Sequence, residues 1–85
     1  MNEITAGCLA KSLAGHDKDR YFIILSVDED YVMLADGKNR PVERPKRKKR
    51  KHIQAQKQPL LAEGPFSNEA VRAAIRDYEK TAAVK

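Results

Sequence analysis

The chain has one cysteine, two histidines and no tryptophan. Cys8 has no partner within the chain, which excludes an intramolecular disulfide scaffold. One Cys and two His argue against a structural zinc site, which needs four nitrogen or sulfur ligands. No apolar run approaches the roughly 18 residues of a membrane span, and residues 1–12 lack the pattern of a secretory signal. At 85 residues a single hydrophobic core contributes only a few kcal/mol net. No constellation of nucleophile, base and pocket glycines is visible, so the pattern points away from an enzyme and from any cofactor. What remains is a small, reduced, basic domain, expected in the cytoplasm, monomeric when free and without a membrane partner.

The positive charge is concentrated in one place. Lys38–His52 holds nine basic side chains and one acid, Glu43, for a net charge of +8. The other residues hold eight basic and eleven acidic side chains, a net of −3. A mildly acidic body thus carries one cationic stripe, and polyanions release counterions when they meet such a stripe. A solvated, self-repelling linker is the bland alternative. The position of the run, between two segments with ordered patterns, weighs against it.

Periodicity gives a β part, a basic connector and one helix. Ile4–Ala10 is a short candidate strand, and residues 12–20, with Gly15 among polar residues, read as a loop. Tyr21–Val27 has six apolar residues in seven, a run expected to be buried on much of both faces, as in a small barrel or sandwich. Asp28–Asp30 is a turn from which Tyr31–Ala35 returns antiparallel. Asp36-Gly37 signals a second turn into a strand over Arg40–Glu43, placed at an edge because Pro41 has no amide hydrogen. His52–Gln56 is one more short strand. Pro59 to Pro65 reads as linker, with Leu60 and Leu61 packing against the body. Ser67 can cap a helix over about Asn68–Ala82, with Glu69 in its first turn and an apolar stripe of Val71, Ala74, Ile75, Tyr78 and Ala82. An isolated helix of this length is marginal, so the stripe must dock on the body or on a partner. The resulting division is a β domain over 1–57 with the basic segment 38–52, a linker over 58–66 and a packed helix over 67–85.

Three local features invite chemical readings that the residues do not sustain. His16-Asp17 suggests a base oriented by a carboxylate, but adjacent residues rarely make that contact and no nucleophile accompanies them. Asp28, Glu29 and Asp30 lack the glycine and spacing of a calcium loop. Cys8, in a strand pattern beside Leu9, suits a small buried hydrophobe.

Arg44–His52 resembles a nuclear localisation signal, a weakly specific pattern. No basic amphipathic helix surrounds it, which disfavours a membrane surface. Phosphate contact suits it best, because Arg forks onto phosphate while Lys supplies mobile charge. With Tyr21, Phe22, Tyr31, Phe66 and Tyr78 the only aromatics, and at least three needed for a core, base stacking has little to work with. The chemistry favours structured RNA recognised by shape and phosphate, although positive charge alone does not separate RNA from DNA.

Gly7 to Ile24 looks like a KOW motif: a glycine, a short strand, a loop with glycine and basic residues, then an apolar strand. Tyr31–Gly37, Arg40-Pro41-Val42, Pro45–Lys48 and Lys51-His52-Ile53 extend the match. Together they resemble bacterial KOW-domain RNA-binding proteins similar to a large-subunit ribosomal protein family. The resemblance implies a mostly β fold, a small SH3-like barrel with a C-terminal helix, that binds ribosomal or other structured RNA, with ribosomal proteins as further partners. It points to Lys11, Lys18 and Arg20 around the loop, and to Arg40, Arg44, Lys46, Arg47, Lys48, Lys49, Arg50, Lys51 and His52 along the stripe. Three positions depart from the family pattern. Cys8 replaces an aliphatic residue, His16 replaces Arg, and Asp19 stands where such loops often have Gly. A protein-interaction adaptor that uses the C-terminal helix is the rival class.

Overall fold

A computed structural model describes residues 4–62 and 66–83. Five strands form one antiparallel sheet, followed by one helix: β1 (Cys8–Ser12), β2 (Tyr21–Val27), β3 (Tyr31–Ala35), β4 (Lys46–Lys49), β5 (Ile53–Pro59) and α1 (Asn68–Ala83). The spatial order is β4-β3-β2-β1-β5, so β4 and β5 are the two edges. A single 3₁₀ turn, Arg50–His52, carries the chain from one edge to the other. Three residues span so little distance that the sheet must curl enough to bring its edges near each other at that corner. Register shifts between Ile24 and Ser26, and between Cys8 and Ala10, add the local twist that curling needs. No ladder joins β4 to β5, so the sheet remains open.

The two-sided apolar run of β2 organises the core. Phe22 and Ile24 face inward with Cys8, Ala10, Val32, Leu34 and Ile53. Ile23 points the other way and, with Leu9, receives Val71 of α1; Tyr21, Ala74, Ile75 and Tyr78 pack around them. The expected burial on both faces holds over Tyr21–Ile24 and fades towards Ser26 and Val27, which are exposed. The helix begins where the pattern places it: Ser67 Oγ accepts from the Ala70 amide at 3.1 Å, and Glu69 lies in the first turn. Val71, Ala74, Ile75 and Tyr78 of its stripe dock on the sheet, with Val71 fully buried and the Tyr21 and Tyr78 rings edge to face at 5.3 Å. Burying one valine in this way stabilises by about 1.5–3 kcal/mol.

Three expected elements are displaced. The first strand starts at Cys8 rather than Ile4, because Gly7 has a left-handed φ of +95° and the Cys8 amide turns back to the Thr5 carbonyl. Arg40–Glu43 is not a strand. Pro41 has no donor, the Val42 amide donates instead to Asn68 Oδ1 at 2.8 Å, and the Arg44 amide turns back to the Pro41 carbonyl. The edge strand is the lysine run itself, paired with β3 from Tyr31↔Lys49 to Leu34↔Lys46. The last strand is Ile53–Pro59, longer than expected, and His52 belongs to the turn before it. Of the linker leucines, Leu61 packs beside the Leu9–Ile23–Val71 cluster and Leu60 is exposed. Residues 63–65 of that linker lie outside the described residues.

Gly37 shows how closely α1 approaches the sheet. Its φ is +80°, and a Cβ there would stand 2.5 Å from the Asn68 carbonyl oxygen and 2.7 Å from Arg72 Cγ. Arg72 also donates to the Gly37 carbonyl at 2.7 Å. Gly37→Ala therefore combines left-handed strain of about 1–2 kcal/mol with displacement of the helix start. A urea denaturation series is expected to show a loss of at least about 2 kcal/mol, well beyond an ordinary surface substitution.

Candidate functional site

Strand β4 explains how four consecutive cations can form an edge strand. Alternation sends Lys46 and Lys48 to the inner face, beside Leu34 and Val32, and Arg47 and Lys49 to the outer face. The inward pair meets Asp17, which the loop between β1 and β2 holds in place. Asp17 is 7% exposed and Lys48 9%. Lys48 Nζ donates to Asp17 Oδ1 at 2.8 Å and to the Ala14 carbonyl at 2.9 Å, while Lys46 Nζ lies 2.7 Å from Oδ2. Ser12 Oγ donates to Oδ1 at 2.7 Å. Lys46 meets Oδ2 as an ion pair without an aligned hydrogen bond.

Burial by itself pushes the Asp17 carboxyl up. The Lys46 ammonium 2.7 Å from Oδ2, with the hydrogen bonds from Lys48 and Ser12, more than offsets this and holds it well below the usual carboxylate range. The cluster ties the β4 edge to the loop after β1, across the side of the sheet that no ladder closes. The loop is itself closed by backbone bonds from the Ser12 amide to Arg20, from Asp19 to Ser12 and from Leu13 to His52. Asp19 adopts a left-handed φ of +72°, a conformation that glycine adopts at less cost.

The cationic residues singled out from the sequence fall into distinct settings. Lys48 is interior, and its ammonium is taken up by Asp17 and Ala14. Lys46 is half-buried against the same carboxylate. Arg50 is half-buried, with Nη1 3.4 Å and 3.3 Å from the carbonyls of Asp28 and Glu29. His52 is half-buried, and its carbonyl accepts from Leu13. Lys11 lies 3.8 Å from Asp19 as a loose surface pair. Lys18, Arg20, Arg40, Arg44, Arg47, Lys49 and Lys51 are exposed. Arg47 lies over an aromatic ring, with Cζ 3.7 Å from the centroid of Tyr31.

Two clefts flank β4. One, of about 290 Å³, lies between the first loop and the β3–β4 connection and gathers Arg20, Arg40 and Lys46 with the carboxylates of Asp17 and Asp36 and with His16 and Asn39. The other, of about 390 Å³, gathers Lys49, Arg50 and Lys51 with Tyr31, Glu29 and Asp30. Cations distant in sequence are thus brought to a single strand and its two ends. Glu43 does not oppose them within either cleft: its carboxylate accepts from Asn68 at 3.0 Å, which lowers its pKa. Asp17 was not apparent as a site residue, because beside His16 in a polar loop it resembles any turn-forming aspartate. Among the described residues, no group of His, Cys, Asp and Glu is placed to hold a metal ion. No helix among them is long and apolar enough to cross a membrane. No family model matches the chain, and no curated protein matches it.

Proposed function

We propose that the domain binds structured RNA without catalysis, on a KOW-type, SH3-like frame, and that its partner is ribosomal RNA in the cytoplasm. The observation that carries this reading is the sorting of the cations. The inner members of the lysine run serve the fold, while Arg20, Arg40, Arg47, Lys49 and Lys51 stay exposed along β4 and around its two clefts, and Arg44 is exposed just before the strand. A strand that fixes its alternate charges in this way offers phosphates a spaced array rather than a loose cloud. The sheet order, the short turn between its two edges and the register shifts suit a curled, barrel-like frame. An adaptor would need a free stripe on α1. That stripe packs on Leu9 and Ile23, which favours RNA over a helix-mediated protein contact.

The test is the salt dependence of binding to a structured RNA. With about five phosphates neutralised on duplex-like RNA, log K falls against log salt with a slope of about −4 to −5. A flat response would remove phosphate contact as the basis of binding. Competition with duplex DNA of equal length separates RNA from nucleic acid in general. Crosslinking from cells, followed by sequencing, then names the RNA.

A further inference from the structure

We propose that the cleft beside Tyr31 holds one unpaired nucleotide of the bound RNA, with its base stacked on the Tyr31 ring. This rests on the RNA-binding reading and specifies what the RNA must offer. Tyr31 belongs to neither apolar cluster of the core, so folding does not use its ring as a core side chain. The ring instead carries the Arg47 guanidinium at 3.7 Å and forms one wall of the 390 Å³ cleft. That volume lies within the range of small-ligand sites and admits one nucleotide.

The other walls supply what a nucleotide requires. Lys49 is directly opposite Tyr31 in the β3–β4 ladder, so its charge stands on the same face as the ring. Lys51 is exposed beside it, and both can reach the flanking phosphates. Glu29 and Asp30 would repel a continuous phosphate backbone, but their carboxylates can accept hydrogen bonds from the exocyclic amino group of an adenine or cytosine. A paired base has no free face to stack, so the site selects a bulged or looped nucleotide.

The test compares an RNA hairpin carrying one unpaired adenosine or cytidine with the same hairpin fully paired. The bulged hairpin is expected to bind about 10-fold tighter, as one base stacked on an aromatic ring provides. Tyr31→Ala should erase that difference while leaving the affinity for the paired hairpin unchanged, and Tyr31→Phe should retain it. With 2-aminopurine at the bulge, fluorescence is quenched on binding to the wild-type protein. This readout decides the matter even if Tyr31→Ala fails to fold. Equal affinity for the two hairpins, unquenched 2-aminopurine, or an equal loss on both hairpins in Tyr31→Ala would overturn the proposal while leaving RNA binding intact. Adenosine monophosphate binding as tightly as the bulged hairpin would also overturn it, in favour of a free-nucleotide site. Absence of salt-dependent binding to either hairpin would overturn the wider reading as well.

Discussion

Asp17→Ala is expected to remove a large part of the stability of the domain. An 85-residue domain has roughly 4–13 kcal/mol in total, on the order of 0.05–0.15 kcal/mol per residue. Removing one member of a buried ion pair costs about 3–5 kcal/mol, because the remaining charge stays buried without its partner. Here the stranded group is Lys48, 9% exposed and left with only the Ala14 carbonyl. The melting temperature should fall by at least about 12 °C. Lys46→Ala should cost less, since Lys48 and Ser12 still hold the carboxylate. The double variant Asp17→Ala, Lys48→Met should recover part of the loss, because an apolar side chain replaces the stranded ammonium. Circular dichroism melts of these proteins, with the Lys48→Met single to complete the cycle, measure the coupling. A change below about 1 kcal/mol in Asp17→Ala would show that the cluster does not hold the sheet edge.

The same cluster sets the response to acid. The Asp17 pKa is depressed in the folded state, so its contribution is fully present above the ordinary carboxylate value of 3.8. It declines as pH falls below that value and is gone only well beneath it, where the folded-state group protonates. Stability measured from pH 5 downwards should therefore fall in the wild type, and Asp17→Asn should flatten that part of the curve.

The elements legible in the sequence were those fixed by local pattern. Tyr21–Val27 and Tyr31–Ala35 have the observed bounds because an apolar run between polar turns leaves few alternatives. The helix followed from a capping serine and apolar residues at helical spacing. The lysine run read as an extended connector, since adjacent like charges give no local reason to pair. Its strand character depends on Asp17, 31 residues before Lys48, and on a face alternation that the uniform charge conceals. Arg40–Glu43 failed as a strand for a related reason: Asn68, 26 residues after Val42, captures the amide that a ladder would have used. The sequence does not show which of the five aromatics build the core, so nothing in it sets Tyr31 apart from the others. Only the ladder shows that it shares the outer face with Lys49 and, diagonally, Arg47. The candidate interface was thus legible as a segment, while its division into inner and outer cations was not.

That division yields the second large effect. Arg47→Ala, Lys49→Ala and Lys51→Ala combined should leave the fold nearly unchanged, because all three residues are exposed and the stacking of Arg47 on Tyr31 is a surface contact. Surface changes of this kind usually stay within about 0.5 kcal/mol each. RNA affinity should nevertheless fall by on the order of 10²-fold at low salt, at roughly 1 kcal/mol per lost phosphate contact. The salt slope should flatten by about 3, one for each contact removed. Lys46→Ala with Lys48→Ala removes two charges from β4, as many as Arg47→Ala with Lys49→Ala does, yet should lower the melting temperature and leave the slope of the surviving folded fraction close to that of the wild type. Net charge alone predicts similar binding losses for the two sets, and a face-sorted strand predicts opposite ones. Titration of both sets across a salt series, with a melt of each, separates these accounts. Equal flattening of the slope in the two sets would mean that the inward lysines leave Asp17 to reach phosphate, and that the β4 edge opens when RNA binds.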